Sequence, residues 1–129
     1  MIYIGTDILS IDKLINSINK TEKKIIEKVF TKKEEAYCNS KRFPYIHYAG
    51  KFAAKESIKK AILSSSLVSM ASLKKIEIIN DESGKPYPII HYKNLKSFNF
   101  QLSISHTDQY AIAFAVMTND TSIKSNTII

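Results

Sequence analysis

The segment from about Tyr45 to Ser64 constrains the fold most, because it predicts one long helix directly after Pro44. Apolar residues recur along it with helical spacing at Ile46, Ala49, Ala53, Ile58 and Ile62. Shorter helical patterns precede this segment, and most strand patterns follow it. This order predicts an α+β fold with an antiparallel sheet packed against the long helix.

Strand patterns occur at the start and in the second half of the chain. The opening "IYIGTDIL" (2–9) is rich in β-branched residues, and Gly5 is expected to break it. The later candidates are 73–80, 86–92, 99–106 and 110–117. The turn "DESGK" joins the first two, and the tight turn "TDQ" joins the last two.

Three shorter helices are expected between the first strand and Pro44. Ser10 is a candidate N-cap for the first, and the second is expected to start at Thr21. Thr31 and Glu34 have the spacing of a capping box, which predicts the start of the third.

The length of 129 residues indicates one domain with its own core, which we expect to cover 1–117. The polar remainder, 118–129, is expected to fray. Cys38 is the only cysteine, which excludes an intramolecular disulfide and a four-cysteine zinc site. With no secretory signal and no apolar run near the roughly 20 residues that cross a bilayer, we expect a cytoplasmic protein without a membrane span.

The chain is basic, with 19 lysines and arginines against 12 acidic residues and a net charge of +7. Such a surface attracts phosphates or acidic proteins. Lysine abundance can also reflect the base composition of a genome, so charge alone does not identify a partner.

Asp7 is the first candidate for chemistry, because aspartate is disfavoured inside a strand and its neighbours Ile4 and Ile8 are expected to be buried. Glu56 and Lys60 are the second, since residues four apart share one helix face. Each has an ordinary alternative, a helix cap or turn for Asp7 and an exposed ion pair for Glu56 and Lys60. If Asp7 and Glu56 meet in space, their oxygens would suit magnesium, which usually completes its shell with water and substrate phosphates.

His106 ends a strand pattern at a turn, where its ring could reach a phosphate and where Ser105 and Thr107 add hydroxyl donors. "ESGKPY" is a further candidate loop, with Lys85 between Gly84 and Pro86. A structural histidine and a plain hairpin turn are the alternatives.

The order of these segments resembles the holo-acyl-carrier-protein synthases, a short and trimeric class of 4′-phosphopantetheinyl transferases. "IGTDI" is similar to the family's opening Gly-x-Asp segment, "FTKKEEAYC" to its "LT-x-x-E" helix start, and "AGKFAAKESIKKAI" to its helical signature. "GKPY" and "SISHTDQYAIA" are similar to its later loop and strand end. The resemblance extends to about Met117 and implies a phosphopantetheinyl transferase-like fold.

The resemblance implies transfer of 4′-phosphopantetheine from coenzyme A to a serine of apo acyl carrier protein, with release of 3′,5′-ADP, in support of fatty acid biosynthesis. It implies that Asp7 and Glu56 hold Mg²⁺ and that Lys60 contacts the pyrophosphate. Either Glu56 or a water on the metal would accept the serine proton.

The resemblance also implies the remaining binding residues. Near the 3′-phosphate would lie Lys51, His106 and Thr107, with Ser105 next to them. The loop of Gly84, Lys85 and Pro86 would lie beside the adenine.

The carrier protein is acidic in this family, and Lys13 falls where the family places a basic contact. Lys20, Lys23 and Lys24 would extend that patch. The family also implies a homotrimer whose active sites lie between subunits.

Two other functions remain open from the sequence. A small RNA-binding module would explain the basic charge but leaves Asp7 and Glu56 without a role. The third possibility is an inactive scaffold that binds acyl carrier protein without catalysing a reaction.

Overall fold

The fold begins with a long strand that leads directly into a helix, as the computed structural model of residues 1–119 describes. Ser10 ends the strand and caps the helix, because its hydroxyl accepts a hydrogen bond from the Lys13 amide at 3.3 Å. The helices are α1 (Ile11–Lys20), α2 (Lys24–Val29), α3 (Lys32–Asn39) and α4 (Pro44–Ser64). The strands are β1 (Ile2–Ser10), β2 (Ile76–Asn80), β3 (Pro86–Ile90), β4 (Asn99–His106) and β5 (Tyr110–Thr118).

The strands form two antiparallel sheets, and α4 packs on the larger one. That sheet has the order β1-β5-β4, while β2 and β3 form a separate pair. The predicted α+β class and the packing of an antiparallel sheet against a long helix are confirmed. β5 extends to Thr118, one residue beyond the predicted domain boundary at 117. Residues 120–129 of the predicted tail lie outside the part of the chain that the structure describes.

Gly5 does not break β1, which corrects the prediction. It pairs with Ala115 in the middle of a continuous strand. A Cβ on Gly5 would lie 1.8 Å from the Ser57 carbonyl oxygen, so glycine is required there because α4 crosses the strand at backbone contact.

The inner face of β5 carries three alanines at alternate positions, which lets α4 approach closely. Ala111, Ala113 and Ala115 are buried beneath the helix. Between them, Ile112 and Phe114 point to the other face and are 43% and 47% exposed. Ile112 and Phe114 therefore lie outside the core, whereas Met117, on the helix-facing side of β5, is part of it.

Two further boundaries differ from the predictions. α2 begins at Lys24 rather than at Thr21, because Glu22 and Lys23 take left-handed backbone angles in the turn after α1. β2 begins at Ile76, since 73–75 form a short 3₁₀ turn, and β3 ends at Ile90. The capping box of Thr31 and Glu34 is present as predicted.

Within residues 1–119, none of the helices has the length and apolar character needed to span a bilayer.

Candidate active site

Asp7 lies on the face of β1 that is turned toward α4. Side chains alternate along a strand, so Asp7 shares this face with Gly5 and Leu9. Ile4 and Ile8 are on the opposite face and are 59% and 64% exposed, so the expectation that they are buried was wrong. An acidic residue on the helix-facing side of a sheet requires a polar partner, and α4 supplies it.

Lys60 of α4 is that partner. Its ammonium donates to the Thr6 carbonyl oxygen at 2.9 Å and lies 3.3 Å from Asp7 Oδ1. The Lys60 side chain is 54% exposed and that of Asp7 17% exposed, so the pair is open to solvent on one side. An ion pair of this kind contributes little to stability, about 0–1 kcal/mol.

Glu56 stands one helical turn before Lys60 and is half-buried. Its carboxylate makes no hydrogen bond or ion pair with any residue of the described range 1–119. The backbone contact between Gly5 and Ser57 brings β1 and α4 together beside this residue, since Asp7 is two positions past Gly5 and Glu56 precedes Ser57. The fold thus gathers Asp7, Glu56 and Lys60 at one edge of the helix–sheet interface.

This donor set fits a hard divalent cation that shares its ligands with a substrate. Across residues 1–119, no group of three or more His, Cys, Asp or Glu side chains is arranged to hold a metal. A closed protein site is therefore not formed there. Mg²⁺ is usually bound through one or two carboxylates together with substrate phosphates and water, which Asp7 and Glu56 satisfy.

A cleft of about 220 Å³ lies on another side of α4, between that helix, the β2–β3 pair and β4. Four of the predicted binding residues line it, namely Lys51, Gly84, Pro86 and His106. No carboxylate is among its lining residues in the described chain. The cleft is thus polar and basic on one side and apolar at Pro86.

Lys51 is buried beside this cleft, and protein oxygens already surround its ammonium. Nζ lies 2.6 Å from both the Ile78 carbonyl oxygen and Asn80 Oδ1, and 4.5 Å from the centre of the Tyr37 ring. Burial lowers the pKa of Lys51 below its usual value. These contacts tie β2 to α4, so Lys51 supplies positive potential to the cleft while two of its donors are in use.

Three other predicted binding residues do not line the cleft. Ser105 alternates with His106 along β4 and faces the outer side of the sheet. Thr107 uses its hydroxyl oxygen to accept the amides of Gln109 and Tyr110 in the hairpin turn. Lys85 is exposed in the loop.

The loop before β3 is organised by Asp81, which the sequence reasoning missed. Asp81 Oδ1 accepts hydrogen bonds from the Ser83 hydroxyl at 2.6 Å and from the amides of Ser83 and Lys85 at 2.9 Å. The Ser83 hydroxyl and the Lys85 and Ser83 amides lower the pKa of Asp81. Gly84, at φ 88°, takes a backbone angle that favours glycine. The aspartate-to-serine spacing was the signal available.

A buried ion pair, also missed, fixes the segment of α4 that carries Glu56. Lys55 Nζ lies 2.6 Å from Glu34 Oε1, with both side chains fully buried. Lys55 also donates to the Val29 and Leu73 carbonyl oxygens, and Glu34 accepts from the Thr31 and Ile78 amides. Because every charge has partners, the pair joins α3, β2 and α4 without an unsatisfied group.

The carboxylate edge and the basic cleft lie on different sides of α4. Glu56 and Lys51 are five positions apart on α4, which places them about 140° apart around the helix axis. The chain therefore presents two separate groups of candidate residues.

Comparison with known proteins identifies the family of the chain. Residues 3–115 match the family model of the 4′-phosphopantetheinyl transferase superfamily. A holo-[acyl-carrier-protein] synthase of Protochlamydia amoebophila is 40% identical over 119 residues, which are 90% of this chain and 97% of that protein.

Two solved structures have the same fold over nearly their whole length. The synthase of Bacillus anthracis in complex with CoA (3′,5′-ADP) has a TM-score of 0.73 at 31% identity, covering 92% of this chain and 96% of that one. The ACPS-CoA complex of Chronobacterium ammoniagenes has a TM-score of 0.81 at 21% identity, covering 93% and 98%. With the model match across 3–115, the chain belongs to the holo-acyl-carrier-protein synthase family of the 4′-phosphopantetheinyl transferase superfamily.

Proposed function

We propose that this protein is a cytoplasmic, Mg²⁺-dependent holo-acyl-carrier-protein synthase that transfers 4′-phosphopantetheine from coenzyme A to a serine of apo acyl carrier protein, in support of fatty acid biosynthesis. The convergence of Asp7 and Lys60 beside the unpaired carboxylate of Glu56 carries this proposal. Two carboxylates at one edge suit a cation that binds a diphosphate. The ammonium beside them can stabilise the negative charge that develops when the bond between the two phosphates breaks.

Asp7 and Glu56 are the residues that would hold Mg²⁺, which when bound neutralises charge on the pyrophosphate. In the transfer, the carrier serine oxygen forms a bond to the phosphorus that bears the pantetheine. The bond from that phosphorus to the bridging oxygen breaks, and its electron pair leaves with 3′,5′-ADP. Lys60 is placed to donate to the pyrophosphate oxygens, and the Glu56 carboxylate is the group of the chain available to take the serine proton.

The basic cleft is the proposed site of the nucleotide end of coenzyme A. His106 donates from Nδ1 to the Thr107 carbonyl oxygen at 3.2 Å, which leaves Nε2 to meet a phosphate. Lys51 adds positive potential, and Gly84 and Pro86 offer a rigid wall to the adenine. Lys85, Ser105 and Thr107 remain candidates for contacts made across a subunit boundary. This cleft and the carboxylate edge would serve one active site only if they come from neighbouring subunits.

The outer face of the large sheet supports assembly into a homotrimer. Its exposed apolar side chains on β1 and β5 are Ile2, Ile4, Ile8, Tyr110, Ile112 and Phe114. Contiguous apolar surface of this kind is characteristic of protein interfaces.

Phe114→Glu should convert the assembled protein to monomers and abolish transfer, because it places a charge in the centre of the apolar face. Light scattering after size-exclusion chromatography reports the mass, and Tyr87→Glu, on the exposed side of β3, is the matched control. A Phe114→Glu protein that stays trimeric would contradict this interface.

A groove of about 460 Å³ next to the carboxylates is the proposed docking surface for the carrier protein. Lys13, Leu14, Ile25 and Phe52 are among its lining residues. Phe52 lies one helical turn before Glu56, so a partner seated here is close to the carboxylates. Lys13 lines the groove, and Lys20, Lys23 and Lys24 are exposed residues at the end of α1 and the start of α2, which suits an acidic partner.

Lys13→Glu should raise the KM for the carrier protein about tenfold while the KM for coenzyme A stays unchanged, because only the carrier meets this surface. Steady-state kinetics with each substrate varied in turn would measure both constants. Lys93→Glu, an equal charge change at a distant exposed site, is the control. An equal loss for both substrates would argue against a carrier contact at Lys13.

Mass spectrometry of the carrier tests the proposed function directly. Purified protein is incubated with coenzyme A, Mg²⁺ and apo carrier protein, and the carrier is weighed before and after addition of EDTA. A mass gain of one phosphopantetheine group that EDTA prevents supports the function. An unmodified carrier together with tight, salt-sensitive binding of RNA would favour the RNA-binding alternative.

A further inference from the structure

The cleft contains a second histidine, His47, in addition to His106. His47 lies in the early part of α4 and lines the same cleft as His106 of β4. Its ring meets the Tyr37 ring edge-on, with centroids 5.8 Å apart and planes at 77°. The half-buried imidazole is therefore held at the wall of the cleft by packing.

The titratable groups that act on His47 are all basic. They are Lys41 after α3, Lys51 on α4 and His106 on β4, while β2 contributes the neutral Asn80 to the cleft. Burial first, then Lys41, His106 and Lys51, lower the pKa of His47 below its usual value. The imidazole of His47 is thus mainly neutral near pH 7 in the free protein. Basic groups surround it, and no carboxylate is among the described residues that line the cleft.

We propose that His47 and His106 together hold the 3′-phosphate of coenzyme A in this cleft, and that His47 takes up a proton when that phosphate binds. The inference rests on the proposed function, because it assumes coenzyme A as the substrate. It assigns to His47 the ability to discriminate coenzyme A from dephospho-coenzyme A, which lacks this phosphate.

A phosphomonoester dianion reverses the electrostatic balance at His47. Lys41, Lys51 and His106 disfavour a charged His47 in the empty cleft, whereas an adjacent dianion favours it, because the phosphate oxygens accept a hydrogen bond from the protonated ring. Affinity should then be highest at low pH, fall as pH rises through the pKa of His47 in the complex, and level off above it. Below about pH 6 the ligand itself begins to lose its second charge, which limits the gain.

Isothermal titration calorimetry with coenzyme A and dephospho-coenzyme A tests this assignment. Titrations near pH 7 in buffers of different ionisation enthalpy give the number of protons taken up on binding. In His47→Gln, the preference for coenzyme A over dephospho-coenzyme A should fall on the order of tenfold, the value of one charge-assisted hydrogen bond, and proton uptake should decrease. His47→Phe, which preserves the ring packing on Tyr37, should give the same loss if the effect is not one of folding.

His91→Gln is the matched control, since His91 contacts Glu77 at 3.1 Å and does not line the cleft. It should leave preference and proton uptake as in the wild type. The inference would be overturned if both His47 variants bound coenzyme A with the wild-type preference over dephospho-coenzyme A and with the wild-type proton uptake. Wild-type protein that binds neither coenzyme A nor 3′,5′-ADP would instead overturn the proposed function, on which the inference depends.

Discussion

Glu56→Gln is expected to reduce the rate of phosphopantetheine transfer by about 10²–10⁴-fold, because a bound metal ion supplies several kcal/mol of charge stabilisation and this change removes one of its two proposed ligands. The substitution preserves volume at a half-buried carboxylate without protein partners in the described chain, so the free energy of unfolding should change little. Single-turnover transfer assays and thermal unfolding measure the two effects separately. Asp7→Asn should behave similarly in the transfer assay.

Glu35→Gln provides the matched control for this prediction. Glu35 pairs with Lys32 at 3.4 Å at the start of α3, away from the Asp7–Lys60 contact. Its loss should leave transfer within about twofold of the wild type, since surface ion pairs contribute about 0–1 kcal/mol. Nearly full activity in Glu56→Gln would show that transfer does not depend on this carboxylate, and unfolding of Asp7→Asn at ordinary temperature would show that Asp7 is structural.

Gly5→Ala should destabilise the fold by about 4–5 kcal/mol, in the exceptional range for one substitution. The new methyl group would lie 1.8 Å from the Ser57 carbonyl oxygen, 2.9 Å from its carbon and 3.0 Å from the Ala61 amide nitrogen. All three are backbone atoms of α4, so relief requires the helix to move away from the sheet. Chemical denaturation measures the loss, and transfer should fall as well because Asp7 and Glu56 would separate.

Gly50→Ala is the matched control for steric crowding on the same helix. A methyl group there would meet the Ile104 Cγ2 atom at 3.3 Å, a side-chain atom that can shift by a few tenths of an ångström. The expected loss is below about 1 kcal/mol, offset in part by the better helix propensity of alanine. Equal destabilisation by the two substitutions would show that the approach of α4 to β1 is not the constraint.

The local elements of the fold could be predicted because each has a short-range signal. The capping box at Thr31, the cap at Ser10 and the turns after β2 and β4 depend on neighbouring residues alone. Gly5 was misread because its reason is a helix that crosses β1 some fifty residues later in the chain. The placement of Ile112 and Phe114 outside the core was equally hidden, since alternation does not say which face meets the helix.

The candidate site also combines residues that the sequence alone could single out with contacts that only the folded chain shows. Asp7 could be singled out because aspartate is disfavoured inside a strand, and Glu56 and Lys60 because residues four apart share one helix face. The structure places Asp7 against Lys60. Their roles in metal and phosphate binding stay predictions. Lys51 illustrates the limit: its charge was evident from the sequence, but its bonds to Ile78 and Asn80 depend on a pairing of β2 with α4 that no local pattern encodes. His47 was overlooked because the cleft that gives it cationic neighbours exists only in the folded chain.

The most direct test of the account is the position of a divalent cation in crystals of the protein grown with coenzyme A and Mn²⁺, located by the anomalous scattering of manganese. The account predicts one strong peak within coordinating distance, about 2.0–2.3 Å, of carboxylate oxygens from both Asp7 and Glu56, next to the pyrophosphate and with Lys60 beside it. A metal bound away from this pair, or a pyrophosphate seated where neither carboxylate can reach its cation, would contradict it.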